Sequence, residues 1–379
     1  MTRNRIKTIL CTIGTRPEAI KMAPVIKAFQ AAPWARCRVL FTAQHRELVD
    51  QMLTFFAIDP DLDLDLMRPN QTLVELTSRL LLTVHDAIAR EQPDMVLAQG
   101  DTTTVFATAL ASFYHKVPFG HVEAGLRTGR LFAPFPEEAN RVLAGHLSAL
   151  HFAPTARARD NLVREGIAEK SIVVTGNTVI DSLLLTAQRD LPIGVELDPA
   201  RRLILITAHR RDSFGEPIRQ ICRAIERLHE RFPDVEFLWP VHPNPSIKPV
   251  VEQAMADRPR VRLCAPLAYG PFVSAMKRAT LILTDSGGVQ EEAPALGKPV
   301  LVLREESERP EAISFGVAKL VGHDPDAIVF EAGRLLEDSN AYRAMARGVS
   351  PYGDGQASRR IVSRVGMFLG VADPLRAAG

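Results

Sequence analysis

The 379-residue sequence has almost no excess of charge and no long apolar run. Its 46 Lys and Arg residues against 44 Asp and Glu leave a formal net charge of +2, which excludes nucleic-acid binding by bulk charge and leaves local anion sites open. No stretch of about 20 apolar residues occurs, as a membrane-spanning helix would require. The opening residues, MTRNRIKTIL, lack the apolar run and cleavage site of a signal peptide. We therefore expect a cytoplasmic protein with no nucleic-acid or membrane partner.

Motifs for metals and dinucleotides are also missing. The four cysteines lie far apart with no CxxC pair, which is typical of buried apolar residues and not of disulfides or metal ligands. No histidine pair has HxH or HxxxH spacing, and no GxGxxG follows a predicted strand, so the sequence predicts neither a bound metal nor a nicotinamide cofactor.

Short apolar strands alternate with helical patterns, which indicates an α/β protein with parallel sheets. The predicted strands are 6–13, 37–42, 95–98, 119–122, 150–153 and 172–174 in the first half, and 203–207, 235–239, 261–263, 281–284 and 300–303 in the second. We predict two Rossmann-like, doubly wound domains that face a cleft. The first covers 1–175 and is joined by a C-terminal helix within 356–379, and the second covers 176–355.

Ligands of such sheets bind beyond the carboxyl ends of the strands, so we searched the loops there. In IGTRPEAIK, Gly14 ends a strand, Glu18 complements the dipole of the next helix, and Arg16 and Lys21 can reach phosphate oxygens. A plain strand-to-helix turn with solvated charges explains this motif equally well.

Three carboxylates follow strands of the first half. Asp101 in QGDTTT by itself suggests a helix N-cap, and Glu137 and Arg141 in PEEANR have the spacing of an exposed ion pair. Together with Glu123 in HVEAG, however, Asp101 and Glu137 fall near strand ends of one sheet. Converging carboxylates would raise one another's pKa values and supply general acids and bases.

The second half carries histidines and a glycine loop. His209 in TAHRRDSFG and His242 in PVHPNP suit a phosphate better than a metal, although a single histidine after a strand is more often structural. In DSGGVQEEAP, two glycines let backbone N–H groups approach a phosphate. We interpret Glu292 as an acceptor for ribose hydroxyls and Glu291 as a glutamate favoured by the helix dipole.

These motifs, in order along almost the whole chain, resemble the non-hydrolysing UDP-N-acetylglucosamine 2-epimerases of bacteria. The resemblance rests on GTRPEAIKMAPVI, GDTTT, GHVEAGLRTG, PFPEEANR, TGNTVIDSL, TAHRRDSFGEP, PVHPNP and LTDSGGVQEEAPALGKPVLVLREESERPEA. It implies a fold of the glycosyltransferase-B type, a homodimer, no cofactor, and interconversion of UDP-GlcNAc and UDP-ManNAc.

The resemblance also implies site residues. The catalytic set is Lys21, Asp101, Glu123, Glu137, Arg141 and His209. The substrate-binding set is Arg16, Leu267, Phe272, Ser286, Gly287, Gly288, Glu292 and Arg309. A second, activating UDP-GlcNAc site is implied near Gln44, Arg210 and His242, although Glu47 and MRPNQ depart from its pattern.

The chemistry is constrained by the substrate, because the C2 proton of the sugar is not next to a carbonyl. Elimination of UDP to 2-acetamidoglucal, followed by re-addition, requires carboxylates at the sugar and cations at the diphosphate, and both are present. A retaining glycosyltransferase of the same fold, a hydrolysing epimerase and a catalytically silent UDP-sugar sensor are the alternatives.

Overall fold

Two separate parallel sheets organise the chain. The computed structural model describes residues 5–42, 46–68, 71–210, 213–307 and 309–374. The chain divides into a first unit, 1–182 with 353–379, and a second unit, 183–352. Each unit contains one sheet covered by helices, so the predicted α/β class with two doubly wound parallel sheets is confirmed.

The first unit is built on a seven-stranded sheet with the order β3-β2-β1-β4-β5-β6-β7. Its strands are β1 (Lys7–Ile13), β2 (Ala35–Phe41), β3 (Leu62–Asp63), β4 (Met95–Gln99), β5 (Phe119–Val122), β6 (Leu150–Ala153) and β7 (Ile172–Val174). Its helices are α1 (Arg16–Gln30), α2 (Arg46–Phe55), α3 (Leu73–Glu91), α4 (Thr103–Tyr114), α5 (Glu137–Leu147), α6 (Ala156–Arg164) and the start of α7 (Thr178–Ala187). All pairings in the sheet are parallel.

The second unit has a six-stranded parallel sheet with the order β10-β9-β8-β11-β12-β13. The strands are β8 (Arg202–Thr207), β9 (Val235–Pro240), β10 (Val261–Cys264), β11 (Leu281–Thr284), β12 (Val300–Val302) and β13 (Ala318–Leu320). The helices are α8 (Glu216–Arg231), α9 (Lys248–Met255), α10 (Tyr269–Arg278), α11 (Gly287–Glu292), α12 (Pro310–Ser314), α13 (Pro325–Glu337) and α14 (Ser339–Met345).

The central strands of both sheets are fully buried, because helices cover both faces of a parallel sheet. Leu203 to Ile206 of β8 and Met95 to Ala98 of β4 are all at most 1% exposed. Continuous apolar runs of this kind made eleven strands recognisable in the sequence. The two that were missed, β3 and β13, are short edge strands in which only one residue is buried.

The last helix, α15 (Ala357–Phe368), returns to the first unit and packs against α1. Asp181 caps its amino end by accepting hydrogen bonds from the amides of Ala357 and Ser358 at 3.2 and 2.8 Å. Beyond the helix, Trp34 Nε1 donates to the carbonyl of Pro374 at 2.9 Å. These bonds attach the C-terminal segment to the sheet that carries β1.

Two earlier expectations concern cysteines and membranes. Cys11 and Cys222 are buried, as predicted, whereas Cys37 and Cys264 are half-buried. In the part of the chain that the structure describes, no helix has the length and apolar character needed to cross a bilayer.

Candidate functional site

Several of the candidate residues lie at the point where the strand order of each sheet reverses. In the first unit β1 pairs with β2 on one side and with β4 on the other, so the loops after β1 and β4 open at a topological switch point. In the second unit the same position falls between β8 and β11. The first switch point carries Lys21 and Asp101, and the second carries His209 and Ser286.

Glu123, directly after β5, binds Lys21. Lys21 Nζ lies 2.6 and 2.8 Å from the two Glu123 carboxylate oxygens. Asn177 Nδ2 donates to Oε1 at 2.9 Å, and Gln99 Nε2 donates to Oε2. These three residues hold the Glu123 carboxylate in a fixed position.

The backbone of Glu123 is itself unusual, with φ at +62°. A residue with a side chain adopts this left-handed conformation at a cost of order 1 kcal/mol, and such residues cluster at functional sites. The conformation turns the chain at the strand end, where the Glu123 side chain meets Lys21, Gln99 and Asn177.

Asp101, after β4, pairs with Arg141 of α5, whose Nη2 lies 2.8 Å from Oδ2. Burial raises the pKa of Asp101; Arg141 and Lys21 oppose this rise, and the negative charges of Glu123 and Glu137 add to it. The three predicted carboxylates are thus close enough to act on one another electrostatically. Their arrangement provides one acid-base cluster with its own cations.

Two interpretations of this region are wrong. The N-cap of α4 is Thr102, whose Oγ1 accepts from the amide of Val105, so Asp101 is not a cap and its carboxylate faces Arg141. Arg141 pairs with Asp101 and, at 3.5 Å, with Glu138, and does not form the surface pair with Glu137 that the four-residue spacing suggested. Glu138 also accepts from the amides of Thr128 and Gly129 at 2.9 and 3.0 Å.

Gln99 and Asn177 were not predicted from the sequence as partners of Glu123. Gln99 is the last residue of β4, and Asn177 belongs to the motif TGNTVIDSL, which the resemblance included without giving it a role. Both are nearly fully buried, and a buried amide needs hydrogen-bond partners. A polar residue at the end of an apolar strand is the signal that identifies Gln99.

Glu18 is the other missed residue of the first unit. It is 2% exposed and accepts from the amides of Gly14 and Thr15 at 2.5 and 2.8 Å and from Thr102 Oγ1 at 2.6 Å. Burial, with a smaller contribution from the charge of Asp101, raises its pKa to about 7 against the lowering effect of these hydrogen bonds. Glu18 therefore joins the loop after β1 to the loop that carries Asp101.

In the second unit, Asp285 organises the loop after β8. Its Oδ2 accepts from the amides of His209 and Arg210 and from Ser213 Oγ, at 2.7 to 2.8 Å. His209 Nδ1 lies 3.4 Å from Oδ1, and the His209 ring stacks on His242 with centroids 5.9 Å apart. Burial lowers the pKa of His209, an effect that Asp285 opposes.

The loop after β11 presents two glycines to charged side chains. A Cβ on Gly287 would lie 3.7 Å from Arg210 Nη2 and 4.0 Å from Arg309 Cζ. A Cβ on Gly288 would lie 3.9 Å from Ser286 Oγ and 4.0 Å from Glu292 Oε2. The absence of these Cβ atoms leaves space between two guanidinium groups, an arrangement suited to a phosphorylated ligand.

The interpretation of Glu291 is wrong. It lies in the last turn of the six-residue helix α11 and not in the first, so the helix dipole does not favour it there. Its carboxylate instead accepts from Arg309 Nε.

The other predicted residues have ordinary surroundings. Arg16 begins α1 and is half-buried. Leu267 and Phe272, also half-buried, flank the start of α10, and the Phe272 amide donates to the carbonyl of Ala268. Gln44 lies outside the described residues, as do Pro69 and Asn70 of MRPNQ; Glu47 lies in α2.

Two doubly wound parallel sheets, each with polar residues at its switch point, define a protein of the glycosyltransferase-B type. The family model of UDP-N-acetylglucosamine 2-epimerases matches residues 27–366. The UDP-N-acetylglucosamine 2-epimerase of Escherichia coli K12 is 50% identical in an alignment 366 residues long that covers 93% of this chain and 97% of that one. The chain belongs to the UDP-N-acetylglucosamine 2-epimerase family.

Solved structures agree with this assignment. A UDP-N-acetylglucosamine 2-epimerase of 44% identity superposes with a TM-score of 0.90 and covers 99% of both chains. The UDP-GlcNAc 2-epimerase from Neisseria meningitidis, determined with bound UDP-GlcNAc, is also 44% identical, with a TM-score of 0.82 over 94% of this chain and 99% of that one.

Proposed function

We propose that the protein interconverts UDP-GlcNAc and UDP-ManNAc by eliminating UDP and adding it back. The observation that carries the proposal is the cluster of Asp101, Glu123 and Glu137 at one end of a parallel sheet, with Lys21 and Arg141 as its cations. The Neisseria relative binds UDP-GlcNAc, and the family membership supports the same substrate here.

In the first half-reaction, a carboxylate takes the C2 proton while the bond between C1 and the UDP oxygen breaks. The electron pair of the C–H bond forms the C1=C2 double bond, and the products are 2-acetamidoglucal and UDP. In the second, a proton reaches the opposite face of C2 and the UDP oxygen bonds C1 again. Inversion at C2 therefore requires a proton acceptor and a proton donor on two faces.

The first unit supplies these groups. Glu123 accepts bonds from Lys21, Gln99 and Asn177, which orient its carboxylate, and we assign it the role of proton acceptor. The raised pKa of Asp101 suits a group that is protonated in part of the cycle. We assign the C2 proton to this pair and a further acid-base role to Glu137, with Arg141 orienting Asp101.

The second unit supplies the groups for the nucleotide. In this proposal Gly287 and Gly288 give a phosphate close access to the backbone beside Arg309, and Glu292 accepts hydrogen bonds from the ribose hydroxyls. We propose that Arg309 and His209 stabilise the diphosphate as it leaves. We further propose a homodimer, which sedimentation equilibrium can test.

The test compares the wild type with Asp101→Asn. Each protein is incubated with UDP-GlcNAc without added NAD, and chromatography measures how much UDP-GlcNAc is converted. The wild type should reach an equilibrium mixture of both UDP-sugars, and the variant should lose about a thousandfold in kcat. Full activity of Asp101→Asn would overturn the assignment of Asp101. Transfer of the sugar to an acceptor would instead indicate a glycosyltransferase, and tight binding without turnover would indicate a sensor.

A further inference from the structure

The last two residues of α11, Glu291 and Glu292, have different surroundings. Glu291 is 4% exposed and its carboxylate accepts from Arg309 Nε. Glu292 Oε2 lies instead near Gly288, 4.0 Å from the position of an added Cβ. Glu291 therefore contacts an arginine that lies beside the glycine loop.

The segment that carries Arg309 is attached to α11 at a second point. Ser307 Oγ donates to Gln290 Oε1 at 2.5 Å and accepts from the Arg309 amide at 3.0 Å. Gln290 is fully buried, so this contact holds the Arg309 backbone beside the helix, while Glu291 holds its guanidinium group. Gln290 and Glu291 thus fix both parts of Arg309 relative to the glycine loop.

We propose that Glu291 is a positioning residue, which holds the Arg309 guanidinium beside Gly287 so that it is ready for the diphosphate of the nucleotide. The inference deepens the proposed function and rests on it. A long arginine side chain loses rotamer freedom when a ligand orders it, and a charge-assisted bond to a buried carboxylate imposes that order before the ligand arrives.

Removing the charge of Glu291 distinguishes positioning from simple electrostatics, because the two predict opposite signs. Without Glu291 the site gains one unit of positive charge, and charge alone would then bind a diphosphate more tightly. If Glu291 positions Arg309, the loss of the ordered guanidinium weakens binding instead.

The experiment is calorimetric titration of UDP and of uridine into the wild type, Glu291→Gln, Arg309→Ala and the double variant. We expect Glu291→Gln to weaken UDP about tenfold and to leave uridine unchanged. The double variant should bind UDP no worse than Arg309→Ala, because both changes remove one interaction. Glu311→Gln is the matched control: Glu311 accepts from Tyr352 in the same region, and its loss should leave UDP affinity unchanged.

Three results would overturn the inference. Glu291→Gln could bind UDP as tightly as the wild type or more tightly, or the losses of UDP affinity could be additive in the double variant. An equal loss of affinity for UDP and uridine with a lowered Tm would indicate a purely structural role. If the wild type itself fails to bind UDP, the proposed function fails first. That outcome is distinct because it does not depend on any variant.

Discussion

Lys21 Nζ donates to both carboxylate oxygens of Glu123, at 2.6 and 2.8 Å, across 102 residues of sequence. The pair joins α1, after the first strand, to the end of β5. Because the side chains are only 19% and 5% exposed, water screens the pair weakly. Removing either charge would therefore destabilise the other in its buried position.

Lys21→Met should lower both activity and stability. The change leaves Glu123 buried without its cation, which should cost about 3 kcal/mol in the free energy of unfolding, and kcat should fall at least about a hundredfold. Steady-state kinetics and thermal melts measure the two effects.

The double variant Lys21→Met/Glu123→Gln separates these effects. Replacing both charges removes the buried carboxylate together with its Lys21 partner, so the Tm should recover, whereas activity should stay lost because the carboxylate assigned as proton acceptor is gone. Wild-type activity in Lys21→Met would contradict the role of the pair.

Gly287→Ala should weaken UDP binding without unfolding the protein. The new Cβ would meet only ordinary contacts, at 3.7 Å and beyond, so the Tm should not change. The methyl group would, however, fill the space between Arg210 and Arg309, and we expect a loss of about tenfold or more in UDP affinity.

Gly333→Ala is the control for that experiment. Gly333 lies within α13 of the same unit, and the three atoms nearest to an added Cβ belong to the Arg231 side chain, at 3.2 Å or more, so alanine there should leave UDP affinity unchanged. A Gly287→Ala protein that binds UDP as the wild type does would exclude a phosphate from this loop.

Glu18 should make stability depend on pH. Its pKa is about 7 in the folded protein against 4.5 as the reference value, so the folded state holds the proton more strongly and stability falls as pH rises from 4.5 to 7. Glu18→Gln removes this loss. Relative to the wild type, it should become more stable from pH 5 to pH 8 by up to about 3 kcal/mol.

Glu75→Gln provides a control of opposite sign. Glu18 and Glu75 both close capping boxes, with Thr15 and Thr72, but Glu75 is exposed and hydrogen bonds from Thr72 lower its pKa. Its carboxylate therefore stabilises the fold once it is ionised, and Glu75→Gln should lose stability relative to the wild type as pH rises toward the reference value of 4.5, with no further loss above it. Parallel pH profiles for the two variants, measured by thermal melts, would argue against a buried, high-pKa Glu18.

The sequence predicted those parts of the molecule that depend on local patterns. Apolar runs gave eleven strands, and the rule that ligands meet strand ends directed attention to Asp101 and Glu123. The hydrogen-bond partners of these residues were not predictable in this way. Glu123, for example, accepts hydrogen bonds from Lys21, Gln99 and Asn177, which lie in three distant segments of the sequence. Their meeting depends on strand order, which no local pattern gives.

The errors have the same cause. A four-residue spacing suggested that Arg141 pairs with Glu137, but Asp101, from the neighbouring strand end, takes its place. The roles of Glu291 and Glu292 likewise depend on where the segment with Arg309 returns to α11, and adjacent residues in a sequence give no indication of this.

Proton exchange at C2 of the sugar tests the central claim most directly. The purified protein is incubated with UDP-GlcNAc in D2O without NAD, and the sugar is followed by proton NMR. The account predicts UDP-ManNAc with deuterium at C2, together with traces of UDP and 2-acetamidoglucal. UDP-ManNAc that forms with its original C2 proton, or UDP-GlcNAc that binds without any exchange, would contradict it.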